Sequence, residues 1–179
     1  MQLPKPQRVF FALWPDAEAA ARLHALAQEQ HERLNGRVSR EDSLHCTLVF
    51  IGNVDAERLP DLRAAADGIQ SPGFRMSFDQ SGCWRHNRIA YLGMRQVPEA
   101  LQHLQSVLDT RLKSAGFNTE QREYRPHLTL LRKAECTGAT KENPATEPMG
   151  WAVRDFVLVR SSLSVNGSRY EQIGQWPLL

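Results

Sequence analysis

Two short stretches carry the residues most capable of chemistry: His45-Cys46-Thr47-Leu48 and His127-Leu128-Thr129-Leu130. In an extended strand, residues i and i+2 point to one face, so each stretch presents an imidazole beside a hydroxyl. Cys46 and Leu48, or Leu128 and Leu130, then point to the other face. With six His and seven Thr in 179 residues, chance gives roughly 0.2 His-x-Thr matches, and two arise in only about 2% of such chains. A single sheet histidine is ordinarily structural. Two, each beside a threonine, point to one shared polar pocket. An imidazole titrates near ~6.5, so one copy can be a base while the other is an acid. The hydroxyls of Thr47 and Thr129 can donate to the non-bridging oxygens of a phosphate. That set suits in-line opening of a phosphodiester. No metal is expected, because the flanks offer neither carboxylates nor further histidines at ligand spacing.

The elements that must position these residues are legible as periodicities. Arg8 to Trp14 reads as a buried strand stopped by Pro15. Asp16 can cap a helix whose face is Ala19, Leu23, Leu26, Ala27 and Leu34, ended by Asn35-Gly36. Leu44 to Ile51 is a second strand, and Leu59, Leu62, Ala66 and Ile69 mark a second helix. Phe74 to Phe78 alternates as a half-exposed strand, and Arg88 to Met94 follows as another. Val97, Leu101, Leu104, Leu108 and Leu112 form the clearest helical stripe, ended by Gly116; His127 to Leu131 is again a strand. Thr137 to Gly150 reads as an exposed loop. Val153 to Arg160 and Arg169 to Ile173 read as closing strands, paired through a turn at Asn166-Gly167. Strand, helix and His-bearing strand thus occur twice, starting from Arg8 and again from Arg88. The closing strands break the alternation, which favours α+β over a doubly wound parallel sheet. No GxGxxG or P-loop is present to build a nucleotide crevice.

Composition narrows the setting. Hydrophobic residues make up 41% and charged residues 23%, as expected of a packed fold. The formal net charge of +2 gives no broad field for wrapping duplex nucleic acid, though it allows a local basic cleft. Cys46, Cys83 and Cys136 form no CxxC pair, which argues against a disulfide framework and a structural zinc site. No segment has the length and apolar continuity of a membrane span, and the N-terminal apolar run is too short for a secretory leader. A reducing cytoplasm and a monomer are the expectations.

The paired HCTL and HLTL stretches resemble the HxTx signatures of the two-histidine phosphoesterase superfamily, in particular the RNA 2',3'-cyclic phosphodiesterase or bacterial 2'-5' RNA ligase family. The resemblance extends to RVFFALWP, LHCTLVFIGNV, IAYLGMR and RPHLTLLRK, nearly the whole chain. It implies a bilobal α+β fold over residues 1–179, with a pseudo-two-fold axis through a cleft between the motifs. It implies hydrolysis of an RNA terminal 2',3'-cyclic phosphate, such as that of a tRNA fragment, to a 2'-phosphomonoester without a cofactor. His45 would be the proton donor to the leaving 3'-oxygen and His127 the acceptor that activates water, and a 5'-hydroxyl in place of water would make a 2'-5' linkage. Cys46 departs from the usually aliphatic position and is expected to be a core thiol.

Other residues carry weaker readings. Arg132 could neutralise the substrate phosphate through its guanidinium. Phe11 and Phe50 could stack a terminal base or pack in the core. Arg125 could line the RNA approach or solvate the surface. Trp84, Trp151 and Trp176 read as core anchors. Two other functions fit the same residues: a phosphodiesterase for another cyclic or 2'-5'-linked nucleotide, and a non-catalytic RNA-end binding module.

Overall fold

Five consecutive apolar residues, Val9 to Leu13, are all under 5% exposed and form most of the first strand. In this computed structural model, which describes residues 5–136, 143–165 and 167–179, eleven strands and three α-helices follow one another. They are β1 (Gln7–Leu13), α1 (Ala17–Leu34), β2 (Arg37–Val38), β3 (Cys46–Val54), α2 (Leu59–Ala66), β4 (Phe74–Arg75), β5 (Phe78–Trp84) and β6 (Ile89–Gly93). After these come α3 (Glu99–Ser114), β7 (His127–Arg132), β8 (Asn143–Met149), β9 (Ala152–Val153), β10 (Asp155–Ser164) and β11 (Gly167–Pro177). The α+β architecture expected from the sequence is present.

The main sheet runs β11-β10-β1-β3-β7-β6-β5-β8, with β2 also paired to β7. Every pairing in it is antiparallel. Four strands lie on each side of the β3–β7 junction, so the two His-x-Thr stretches meet at the middle of the sheet. The β1-α1-β3 unit is echoed by β6-α3-β7, as the sequence predicts. The helices cross over: α1 packs on β7, while α3 packs on β3 and α2. Leu101, Leu104, Leu108 and Leu112 of α3 are completely buried. One apolar core therefore runs through both halves. The Asp16 side chain caps α1 by accepting from the Ala19 N–H at 2.8 Å, and Asn35 ends the helix at φ 49°.

Three expectations are corrected. The alternating stretch Phe74 to Phe78 is not one strand, because the chain changes partners at Met76. Phe74 pairs with Val153, Phe78 pairs with Met149, and the Met76 N–H between them donates to the Trp151 carbonyl. Within the expected loop Thr137 to Gly150, residues 143–149 form a strand on the outer edge of the sheet, where proline is tolerated; residues 137–142 lie outside the described residues. Cys83 and Cys136 are joined in a disulfide across 53 residues, their Cα atoms 5.6 Å apart. Counting local CxxC spacings could not show a pair that the sheet brings together from β5 and the segment after β7. The closing hairpin is present and longer than expected, with Ser164 opposite Gly167; Asn166, named for its turn, lies outside the described residues. Among the described residues no helix is long and apolar enough to cross a membrane.

Candidate active site

The site is built on one strand pairing. At the β3–β7 junction Cys46 stands opposite Leu128, antiparallel. Continuing that register places His45 opposite Thr129 and Thr47 opposite His127, all on the face away from the buried Cys46 and Leu128. Directly opposed side chains in such a pair have Cβ atoms about 5 Å apart, and diagonal ones about 7–8 Å. The two imidazoles therefore occupy one diagonal of a square and the two hydroxyls the other. A tetrahedral phosphate between them can meet a histidine on opposite sides and a threonine on each of the remaining two.

Both imidazoles are oriented in the same way. His45 Nδ1 lies 2.7 Å from the Ser43 carbonyl, and His127 Nδ1 lies 2.9 Å from the Arg125 carbonyl. Each carbonyl belongs to the residue two positions earlier. A carbonyl only accepts, so Nδ1 carries the hydrogen on both rings and Nε2 is left to exchange protons. The threonine backbones are fixed too: the Thr47 carbonyl accepts from the Tyr124 hydroxyl at 3.2 Å, and the Thr129 carbonyl accepts from Ser39 Oγ at 2.9 Å.

Aromatic rings wall the square, and the two halves differ. Trp14 stacks face to face on His45, centroids 5.1 Å apart and planes within 8°. Phe10 lies tilted at 5.0 Å and Tyr170 meets the same imidazole edge-on at 5.1 Å. On the other side Trp84 meets His127 edge-on at 4.7 Å while stacking on Tyr91 at 3.9 Å. Gly82, opposite Tyr91 across β5 and β6, permits that stack: a Cβ there would stand 2.6 Å from the tyrosine oxygen.

Burial in these walls disfavours the charged imidazole. It pushes His45 down from 6.5 to about 4, opposed by the Ser43 carbonyl and reinforced by Arg132 and His127. His127 is lowered by burial as well, opposed by the Arg125 carbonyl and Glu120 and reinforced by Arg132 and Arg122. Glu120 gives His127 an anionic neighbour that His45 lacks.

The structure gathers His45, Thr47, His127 and Thr129 as the sequence predicts. Arg132 joins them, since its charge acts on both imidazoles while its side chain remains exposed. Arg125 contributes its carbonyl, and its side chain is exposed. Phe50 is half-buried under the Arg8 guanidinium, in the cluster that holds Phe10, Trp14 and Tyr170. Phe11 is not a base platform: it is completely buried against Phe156 and Trp176. Cys46 is a buried thiol whose pKa burial pushes up to about 12. Trp151 is a core anchor, as expected, whereas Trp84 is half-buried at the site. Trp14, Tyr170, Trp84 and Tyr91 were not foreseen as site residues. Only the position of Trp14 and Trp84 at strand ends distinguishes them in the sequence.

The family profile of the 2'-5' RNA ligase superfamily matches residues 13–164. The chain belongs to that superfamily. A curated relative from Escherichia coli K12, RNA 2',3'-cyclic phosphodiesterase, is 34% identical over 176 residues, spanning 98% of this chain and 99% of its own. A second of that name, from Archaeoglobus fulgidus, is 25% identical over 173 residues, 93% of this chain and 97% of its own. Among solved structures, E. coli LigT complexed with 3'-AMP superposes with a TM-score of 0.86 at 34% identity, covering 97% of this chain and 99% of LigT. The mixed helix and antiparallel-sheet fold of the chain matches that of these solved relatives.

Proposed function

We propose that this chain is an RNA 2',3'-cyclic phosphodiesterase, acting on a terminal ribose 2',3'-cyclic phosphate without a cofactor. The square of two Nδ1-anchored histidines and two threonines at the β3–β7 junction carries this reading, and the names of the curated relatives agree with it. Thr47, Thr129 and Arg132 bind the phosphate oxygens, so that charge developing at phosphorus meets fixed donors. His127 Nε2 takes a proton from the attacking water as its oxygen bonds to phosphorus. The P–O3' bond breaks and His45 gives its Nε2 proton to the 3'-oxygen, leaving a 2'-phosphomonoester and a 3'-hydroxyl. With a 5'-hydroxyl as nucleophile the same steps form a 2'-5' phosphodiester.

The cycle begins with a proton on His45 Nε2 and ends with one on His127 Nε2, so the proton must return to His45 before the next turnover.

We place the chemistry in the cytoplasm, because its substrate is an RNA end, including that of a tRNA fragment. One chain, read as a single two-lobed domain, supplies every residue of this cycle, so a monomer is sufficient.

The test is an end-group assay on an oligoribonucleotide with a 2',3'-cyclic phosphate, in EDTA, with wild type and His45→Ala. A 2'-phosphate formed by wild type alone supports the reading. Product that survives His45→Ala refutes the role of that histidine. No product with wild type directs the search to other cyclic or 2'-5'-linked nucleotides, and tight binding without turnover indicates an RNA-end binding module.

A further inference from the structure

The two halves of the site treat their histidines alike along the backbone and differently at the ring faces. Both imidazoles hang from a carbonyl two residues upstream. That hydrogen bond tethers each ring, and rotation about Cβ–Cγ breaks it. Around His127 the aromatic contacts of Trp84 and Tyr91 are edge-on, at 77° and 80°. Around His45 one contact is of another kind: Trp14 covers a face of the imidazole in parallel at 8°. Phe10 at 31° leans on the ring, and Tyr170 meets it at 77°.

We infer that Trp14 is a positioning residue that locks the ring plane of His45, and with it the Nδ1–H tautomer that leaves Nε2 for proton exchange. A parallel indole resists rotation, since turning the imidazole about χ2 would drive its edge into the indole face. Trp14 is itself held: Pro15 behind it is buried, Leu13 before it is completely buried, and Tyr170 meets its ring edge-on at 6.1 Å. The charged groups facing His45 are Arg132 and His127, both across the β3–β7 junction; neither holds the ring plane. Without the indole, the imidazole turns away from the Ser43 carbonyl for part of the time, and Nε2–H and Nδ1–H tautomers mix.

This role matters for turnover only if His45 is the proton donor proposed above, so the decisive readout needs no substrate. In protein carrying 15N-labelled histidine, the two His45 ring nitrogens at neutral pH report the tautomer directly, and those of His127 serve as the internal control. In wild type and Trp14→Phe we expect a single Nδ1–H tautomer at His45. In Trp14→Ala we expect a mixture, with His127 unchanged. With the cyclic-phosphate oligonucleotide, Trp14→Ala should lower kcat at least about tenfold while KM moves less than about twofold. The loss should be the same for ends bearing adenine or uracil, and Trp14→Phe should restore most of it. A pure Nδ1–H tautomer in folded Trp14→Ala overturns the inference. So does a loss that falls on KM and depends on the base, which would make Trp14 a contact for substrate. If Trp14→Ala does not fold, Trp14→Leu replaces it, because leucine fills space without a flat face and the same mixture is expected. Failure of wild type to turn over the oligonucleotide would sink the proposed function and leave the tautomer result to decide Trp14.

Discussion

The burial of His45 can be tested through stability, independently of any substrate. Folding lowers its pKa from 6.5 to about 4, so below 6.5 the unfolded chain binds a proton that the folded chain refuses. Stability must then fall as pH drops from 6.5 towards 4 and is unaffected by this group above 6.5. Integrating between pH 7 and pH 5 gives a loss of about 2 kcal/mol from His45 alone. Because the imidazole keeps part of its surface exposed to the cleft, that figure is an upper bound. The perturbation is His45→Gln, which keeps a polar side chain of similar bulk and cannot titrate. Urea unfolding of both proteins at pH 7 and pH 5 isolates the group, since His127, lowered in the same direction, remains in each. The variant should lose about 1–2 kcal/mol less than wild type over that interval, or keep about 2–8 °C more of its Tm at this chain length. Equal losses in the two proteins, within about 0.5 kcal/mol, would mean that His45 is solvated and that the aromatic wall does not set its charge.

The same burial moves catalysis towards acid: the kcat/KM profile should be bell-shaped with its alkaline limb already falling at pH 7, and a profile flat from pH 5 to 9 would exclude paired imidazoles. Because the bound phosphate anion favours the charged rings, the limbs of kcat should lie at higher pH than those of kcat/KM when both are measured on one substrate. Thr47→Val or Thr129→Val should lower kcat about 100- to 1000-fold with little change in Tm, as for loss of one donor to developing charge; unaltered turnover in both would remove the hydroxyls from the mechanism. The Cys83–Cys136 bridge closes a loop of 53 residues, worth about 4 kcal/mol against the unfolded chain. A dithiol reductant should therefore lower the Tm by on the order of 10 °C, and Cys83→Ser should lower it equally and abolish the response to reductant.

Much of this organisation could be read from residues alone because it depends on local periodicity. Leu101, Leu104, Leu108 and Leu112 announce α3, and Asp16 with Asn35-Gly36 brackets α1. The His-x-Thr repeats announce a shared face because strand geometry alone requires it. What remained hidden depends on partners far along the chain. The change of partner at Met76 depends on Trp151, and the strand at 143–149 exists because β5 offers it an edge. Cys136 meets Cys83 only after β6 has paired with both β5 and β7. Phe11 and Phe10 are adjacent in sequence and equally aromatic. Strand alternation sends Phe11 to the core and Phe10 to His45, and nothing in composition indicates which face is which.

The near-symmetry of the two motifs raises a question that symmetry cannot answer. Opening a cyclic phosphate towards a 2'-monoester has a direction: one imidazole must accept as the other donates, and the 3'-oxygen must leave rather than the 2'-oxygen. The square of His45, Thr129, His127 and Thr47 is indifferent to that choice, and so are the matching carbonyl contacts of the two Nδ1 atoms. The choice must come from what surrounds the square. Trp14, Phe10 and Tyr170 crowd one ring, whereas Glu120 tempers the charge at the other. Hydrolysis and joining to a 5'-hydroxyl both open the ring in that direction, so under the proposed roles both start with the proton on His45 and leave it on His127. An imidazole that burial makes a poor holder of a proton is a strong donor when it carries one, which suits the crowded ring to the leaving oxygen.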